Sequence, residues 1–363
     1  MIAVRKSKNL PAELPADRTT IGSANDYKPS AVQLADGSLL LTAFRCRQPG
    51  VRPLDEVVVF ARSTDDGHTW TDFEEHPDVL PREPFVSVLD DGTLLLTVHI
   101  HPASLQAQSD HVQSWIYRST DNGRTWQGQH VMPDVYPPAT WIHSSRNALQ
   151  LRDGSVIFGI SGDQGRLDLI YRSKDRGLTW RCKTIDVAGK PAEYSDPLFA
   201  ETVFWLHRSG RILALARVSD KQWPLDQQPR TGGDSDQTER LTVLASDDDG
   251  RSFHVAADLG TYGMMYPHLL RLADGRLLLT YTVRALDPPL GVRAVIGEET
   301  ADSIAFDFDA DIIVIDDQTP DGLSSGGGFG ATLQLADGAL LTPYSWRNEA
   351  NETRVDAIRW KLP

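Results

Sequence analysis

The sequence predicts an all-β chain folded as a six-bladed β-propeller of four-stranded antiparallel blades, on three observations. A strand-turn-strand unit recurs six times in 363 residues, a turn motif ending in an aromatic follows four of the copies, and the copies lie about one sixth of the chain apart.

The first unit reads VQLADGSLLLTAF at 32–44, VSVLDDGTLLLTVHI at 86–100, ALQLRDGSVIFGI at 148–160, VFWLHRSGRILALARV at 203–218, LLRLADGRLLLTYTV at 269–283 and TLQLADGALLTPYSW at 332–346. Its turn glycines, Gly37, Gly92, Gly154, Gly210, Gly275 and Gly338, are separated by 55, 62, 56, 65 and 63 residues. β-prone runs flank each one, and glycine accepts the positive φ that a tight hairpin demands. The second unit is STDDGHTW at 63–70, STDNGRTW at 119–126, SKDRGLTW at 173–180 and, degraded, SDDDGRSF at 246–253. This is the Asp-box, S-x-D-x-G-x-T-W. Its Ser and Asp can bond the backbone of their own turn, its Gly takes the left-handed position and its Trp plugs an apolar gap. These boxes read as structural staples rather than calcium loops or catalytic acids. The fifth repeat keeps a remnant, GEETADSIAFDF at 297–308, and the sixth has none.

Two hairpins per period make one blade, so six blades at roughly 27–73, 81–129, 140–184, 194–258, 266–315 and 328–362 make a single domain over 1–363. The last repeat ends at VDAIRWKL without a fourth strand. The N-terminal segment, around Ile2 to Val4 or Thr19 to Ile21, is expected to supply it, which would remove an open sheet edge.

With 40% hydrophobic and 24% charged residues the chain is globular in composition, and no apolar run approaches the roughly 18 residues of a membrane span. The start, MIAVRKSKNLPAELPADRTT, lacks the apolar stretch of a secretion signal. A cytoplasmic protein is the expectation, with secretion or a periplasmic location open if a leader was trimmed. Cys46 and Cys182 stand in no CxxC or Cys/His pattern, so no metal and no cofactor are expected. Fifty acidic against 36 basic residues give a formal charge of −14, which argues against nucleic acid and anionic membrane as partners unless basic groups concentrate locally. Oligomeric state is not legible.

In a four-stranded meander the D-G and Asp-box turns fall on one face, leaving the other as the mouth. Long loops converge there, at 45–56, 101–112, 218–240 and 284–292. Nine residues before each turn glycine, at the mouth of the innermost strand, stand Lys28, Glu83, Ser145, Glu201, Tyr266 and Phe329. Where the second strands return to the mouth stand Arg45, His99 with His101, Asp163, Arg217, Arg284 and Arg347. This collection of cations reads as a pocket for an anion, most simply a sugar carboxylate gripped bidentately by Arg. The alternative is that these arginines pair with acids between blades.

Asp-boxes in register with D-G hairpins resemble the sialidase superfamily, also described by its BNR repeats, over nearly the whole chain. The resemblance implies an exo-acting glycoside hydrolase in which a Glu polarises a nucleophilic Tyr and three arginines hold the substrate carboxylate. Glu201 and Arg217, in AETVFWLHRSGRILALAR, have the family's spacing of Glu and clamp Arg. The family's R-x-P signature appears as Arg82-Glu83-Pro84 in the second repeat, while the first repeat reads Tyr27-Lys28-Pro29. Arg284 is the candidate for a further clamp member. The family's nucleophile slot in the last repeat holds Phe329, which cannot attack carbon, and a Tyr fills the equivalent slot one repeat earlier as Tyr266, with His268 nearby. The general acid is expected in the loop before the first Asp-box, at Asp55 or Glu56.

The histidines suggest a second chemistry, since imidazole titrates near neutrality. His99, His101 or His143 with Tyr266 could abstract the C5 proton of an arginine-held uronate and eliminate, as lyases do, or serve a glycosidase outside the sialidases. A third reading, a non-catalytic glycan-binding propeller, takes Phe329 as a lost nucleophile. All three share an anionic glycan as partner.

Overall fold

The computed structural model describes residues 2–5, 7–133, 139–163, 167–189, 198–219, 239–260, 262–284, 290–317 and 331–363. Phe329 and parts of the mouth loops at 218–240 and 284–292 lie outside them. Among the described residues there is no α-helix, and the strands form six antiparallel sheets set radially as a six-bladed propeller.

The first blade runs Asp26–Gln33, Leu39–Cys46, Glu56–Ser63, Glu74–His76, and the second Phe85–Val88, Leu94–Ile100, Gln113–Ser119, Gln127–His130. In the third, two short pieces, His143–Ser144 and Leu149–Gln150, pair with Val156–Gly162, followed by Leu167–Ser173 and Arg181–Thr184. The fourth is Val203–Leu206, Ile212–Ser219, Glu239–Ser246, Phe253–Leu259, and Val187–Ala188 pairs parallel to its outer edge. The fifth is Met264–Arg271, Leu277–Val283, Gly291–Glu299, Ile312–Asp316. The sixth, Leu333–Gln334, Leu340–Arg347, Thr353–Trp360, takes its outer strand from Ala16–Ile21, with Ile21 opposite Val355. Of the two N-terminal segments offered for that role, the first goes elsewhere. Ile2–Arg5 pairs with Ile312–Asp316 and so extends the fifth blade, because Ile2, with Leu14 of the short strand Glu13–Leu14 paired to it, completes the core between blades five and six.

Local chemistry explains the repeats. All six turn glycines have φ between 79° and 97°, where a side chain would be strained. In the motif after the first hairpin, Ser63 Oγ donates to Asp65 Oδ1 (2.8 Å), Gly67 N donates to Ser63 Oγ (2.9 Å), and Thr69 N donates to Asp65 Oδ1 (2.9 Å). The same bonds recur at Ser119/Asp121, Ser173/Asp175 and Ser246/Asp248. A Cβ on Gly67 would lie 2.9 Å from Leu341 of the sixth blade, so the motif also sets how closely neighbouring blades approach. Leu39 and Leu41 share one core cluster with Leu341 and Ala357, which joins the first blade to the last.

Candidate functional site

The four innermost-strand residues Lys28, Glu83, Glu201 and Tyr266 share a backbone peculiarity, φ of 48°, 53°, 54° and 52°. Three precede a proline, which has no N–H to give to the ladder. In the first and fifth blades the pairing register shifts at that point, between Tyr27 and Ser30 and between Met265 and His268. A bulge with one left-handed residue re-aims that side chain, here toward the propeller axis. Left-handed backbone costs a non-glycine residue about 1 kcal/mol, and such strain concentrates at functional sites.

The re-aimed side chains meet. Lys28 Nζ lies 2.5 Å from Glu83 Oε1, 3.7 Å from Glu201 Oε1 and 4.5 Å from the centre of the Tyr266 ring. The Arg217 guanidinium bonds Glu201, donates to both Glu239 oxygens (2.9 and 3.1 Å) and stands 5.8 Å from the Tyr266 ring. Arg284 donates to the Tyr266 hydroxyl (3.2 Å). Arg146 lies 5.3 Å from that ring and 5.1 Å from Phe85. Tyr266 itself is 2% exposed, so these cations act on it with little screening.

His99 and His143 stand beside this group with ring centres 4.5 Å apart. They help line a cavity of about 20 Å³, the size of one water, together with Glu83 and Glu201. His268 Nδ1 accepts from Thr332 N (3.3 Å).

The remaining predicted residues are more peripheral. Arg45 is spent on Asp26, a fully buried acid, through two bonds of 2.6 and 3.0 Å. Arg347 donates to Asn351 in the turn that follows it (3.1 Å). Asp55 pairs with Arg47 (3.2 Å), which also holds Glu75 at the outer strand. It is Glu56, 3% exposed, that faces Arg82 (3.2 Å) and accepts from Ser104 Oγ (3.1 Å), and Arg82 lies 3.7 Å from Glu83. His101 Nδ1 accepts from Ala103 N (3.0 Å).

The expectation of a cationic mouth therefore needs correcting. Lys28, Arg45, Arg82 and Arg217 face Asp26, Glu56, Glu83, Glu201 and Glu239, so charge here is nearly balanced. Buried cations without partners would cost several kcal/mol each, and the fold supplies the partners. Sequence reasoning missed Glu239, Asp26 and Arg146. A signal existed for the first: Glu56 and Glu239 both stand seven residues before the serine of an S-x-D-x-G turn, and each pairs with a mouth arginine. Arg146 follows directly on Ser145, the one described slot residue without a left-handed backbone.

Electrostatics sorts the titratable groups. Burial opposes charge on Glu201, but Arg217 and then Lys28 hold its carboxyl at about 2. Glu83 is likewise held well below the usual range by Lys28, His99 and Arg82 against the cost of burial. Burial and the Glu201 charge push the Tyr266 phenol up, opposed by Lys28, Arg284 and Arg217. Burial also raises Glu56, outweighing Arg82 and Ser104. Burial, then the His143 ring, holds His99 well below its ordinary value, and burial lowers His143. Burial and Arg146 bring His268 to about 3. At neutral pH the cluster thus holds ionised Glu83 and Glu201, a neutral phenol and neutral imidazoles.

No protein-family model matches the chain, and no curated protein matches it. Solved structures do. A protein of unknown function from Dyadobacter fermentans superposes with a TM-score of 0.68 at 21% identity, over 96% of this chain and 98% of that one. NanB sialidase from Streptococcus pneumoniae gives 0.66 at 13%, over 93% and 68%. Trypanosoma rangeli sialidase gives 0.63 at 13%, over 96% and 60%. At these identities the likeness shows the fold, a sialidase-like six-bladed propeller.

Proposed function

We propose that this chain is a glycoside hydrolase that removes a terminal carboxylate-bearing sugar from a glycan at the mouth of the propeller. One observation carries the reading: a buried Tyr266 whose hydroxyl is bonded by Arg284, whose ring is faced by Lys28, Arg146 and Arg217, and whose neighbour Glu201 is a carboxylate. In the first step the Tyr266 oxygen bonds the anomeric carbon while its proton passes to Glu201, and the aglycone oxygen leaves with a proton from a carboxylic acid. A neutral phenol approaches an anionic sugar without the repulsion a carboxylate would meet, and the surrounding cations favour the charge that develops on its oxygen. Water then attacks the anomeric carbon, giving a proton to the carboxylate that had protonated the aglycone, while the departing Tyr266 oxygen takes its proton back from Glu201. Glu56 fits the acid role better than Asp55, because burial favours its protonated form whereas Asp55 is engaged by Arg47. The substrate carboxylate falls to Arg284, which bonds the Tyr266 hydroxyl, and to Arg146 beside its ring.

The test is turnover of a panel of acidic chromogenic glycosides by the wild type and by Tyr266→Phe. The variant should lose at least about 1,000-fold in kcat with its melting profile kept; undiminished turnover would overturn the assignment.

The contact between His99 and His143 favours a second reading. On a uronic-acid glycan a neutral imidazole takes the C5 proton, the electrons form the C4–C5 double bond and the C4 oxygen leaves with the Tyr266 proton. Under this reading uronate oligosaccharides gain ultraviolet absorbance and His143→Ala abolishes the gain. Reducing sugar without new absorbance excludes it.

A further inference from the structure

A further cationic feature lies away from the mouth. A cavity of about 480 Å³ opens between the third and fourth blades, where the turn carrying Asp153 and the motif turn carrying Gly250 place it on the opposite face. Its walls carry Arg172, Lys174, Arg181, Lys183 and Arg251, and among the described residues Asp153 is the only acid lining it, in a chain whose formal charge is −14.

The register makes this costly for the fold. Arg172 stands directly opposite Arg181, and Ile170 opposite Lys183, so three cations leave one face of two paired strands. Like charges directly opposite one another destabilise a sheet. Arg172 is also held in place: it donates to Ser155 Oγ (2.9 Å) and to the Asp249 carbonyl of the next blade. Burial, only partly offset by Asp153, holds its guanidinium below the ordinary value, with Arg251 adding to the effect. Among the described residues Lys174, Arg181 and Lys183 form no ion pair. Beneath them Ile170 and Ile185, 3% and 6% exposed, make an apolar floor. A volume in the range of small-ligand sites, an apolar floor and a fixed guanidinium ringed by further cations, of which Arg251 also reaches the Asp248 carbonyl (2.8 Å) and Asp249 (3.5 Å), suit one kind of occupant.

We propose that this interblade cleft is a second binding site, for a sugar unit bearing sulfate or phosphate ester groups. The ring lies on the isoleucine floor, Arg172 and Arg181 take one tetrahedral oxyanion between them, and Lys174, Lys183 and Arg251 take a second. The bound anion relieves the repulsion between the opposed arginines. This inference is independent of the reaction at the mouth.

The test is calorimetric titration in about 50 mM salt, where exposed charges are weakly screened. The probes are a disulfated disaccharide, a hexose bisphosphate and the unsulfated disaccharide, against the wild type and the double variant R181A/K183A. At least one ester probe should bind, at least about tenfold more weakly to the variant, while the unsulfated sugar does not bind. Because the substitutions remove a like-charge pair from an exposed strand, the free variant should melt no lower than the wild type. Binding of the sulfated probe alone assigns the site to sulfated glycans, and of the bisphosphate alone to sugar phosphates. Failure of both esters, or equal binding by the variant, overturns the proposal.

Discussion

Tyr266 is where the forces at the mouth collide. Burial and Glu201 favour the phenol while Lys28, Arg284 and Arg217 favour the phenolate, so removing one side should shift the balance. Glu201→Gln should lower the tyrosine pKa, read by ultraviolet titration, and reduce kcat at least about 100-fold by removing the proton acceptor. Glu56 gives a pH test. If it delivers the proton, activity falls as pH rises through its raised pKa, and Glu56→Gln should remove that alkaline limb, whereas Asp55→Asn should leave it unchanged. His268 makes a statement about stability instead. Its folded pKa of about 3 lies below the unfolded value, so the unfolded chain binds a proton that the folded one refuses. Its cost is absent above about pH 6.5 and grows as pH falls, to at most about 2 kcal/mol by pH 5. His268→Asn, which keeps an acceptor for Thr332 N, should show a smaller loss of denaturation free energy between pH 7 and pH 5.

At the scale of the element, the D-G hairpins and S-x-D-x-G turns were legible because each depends on a few local residues. The slots nine residues before the turn glycines were legible for the same reason, and they lead to Lys28, Glu83, Glu201 and Tyr266. What each mouth cation faces was not legible. Pairing Arg217 with Glu239 or Arg82 with Glu56 depends on strand register and blade spacing, which a single hairpin does not encode. Arg146 escaped because the third blade's inner strand is broken into His143–Ser144 and Leu149–Gln150, so the slot rule lands one residue early. The turn motif has its own test. Asp65 sits at about 2 because Thr69 and its backbone N–H bond the carboxylate. Asp65→Ala should lower stability by about 1 kcal/mol at pH 7 and by less near pH 2, where the wild-type acid is half protonated; equal loss at both would contradict the staple role.

On the scale of the whole molecule, Ala16–Ile21 closes the sixth blade against Thr353–Trp360, while Ile2–Arg5 only widens the fifth. Deleting residues 1–14 should cost part of one interblade core, and deleting 1–22 should expose a long strand edge and lead to aggregation or loss of cooperative melting. The charge pattern has a similar logic: the mouth balances its cations with acids, and the opposite face leaves a cationic cleft unbalanced. The central claim concerns the mouth, and a covalent trap reaches it most directly. A fluorinated anionic glycosyl fluoride, which forms a glycosyl-enzyme bond and releases it slowly, should add one sugar to the intact mass, mapped to Tyr266 and absent in Tyr266→Phe. An adduct on another residue, or turnover of acidic glycosides without any adduct, would contradict the assignment of Tyr266 as the nucleophile.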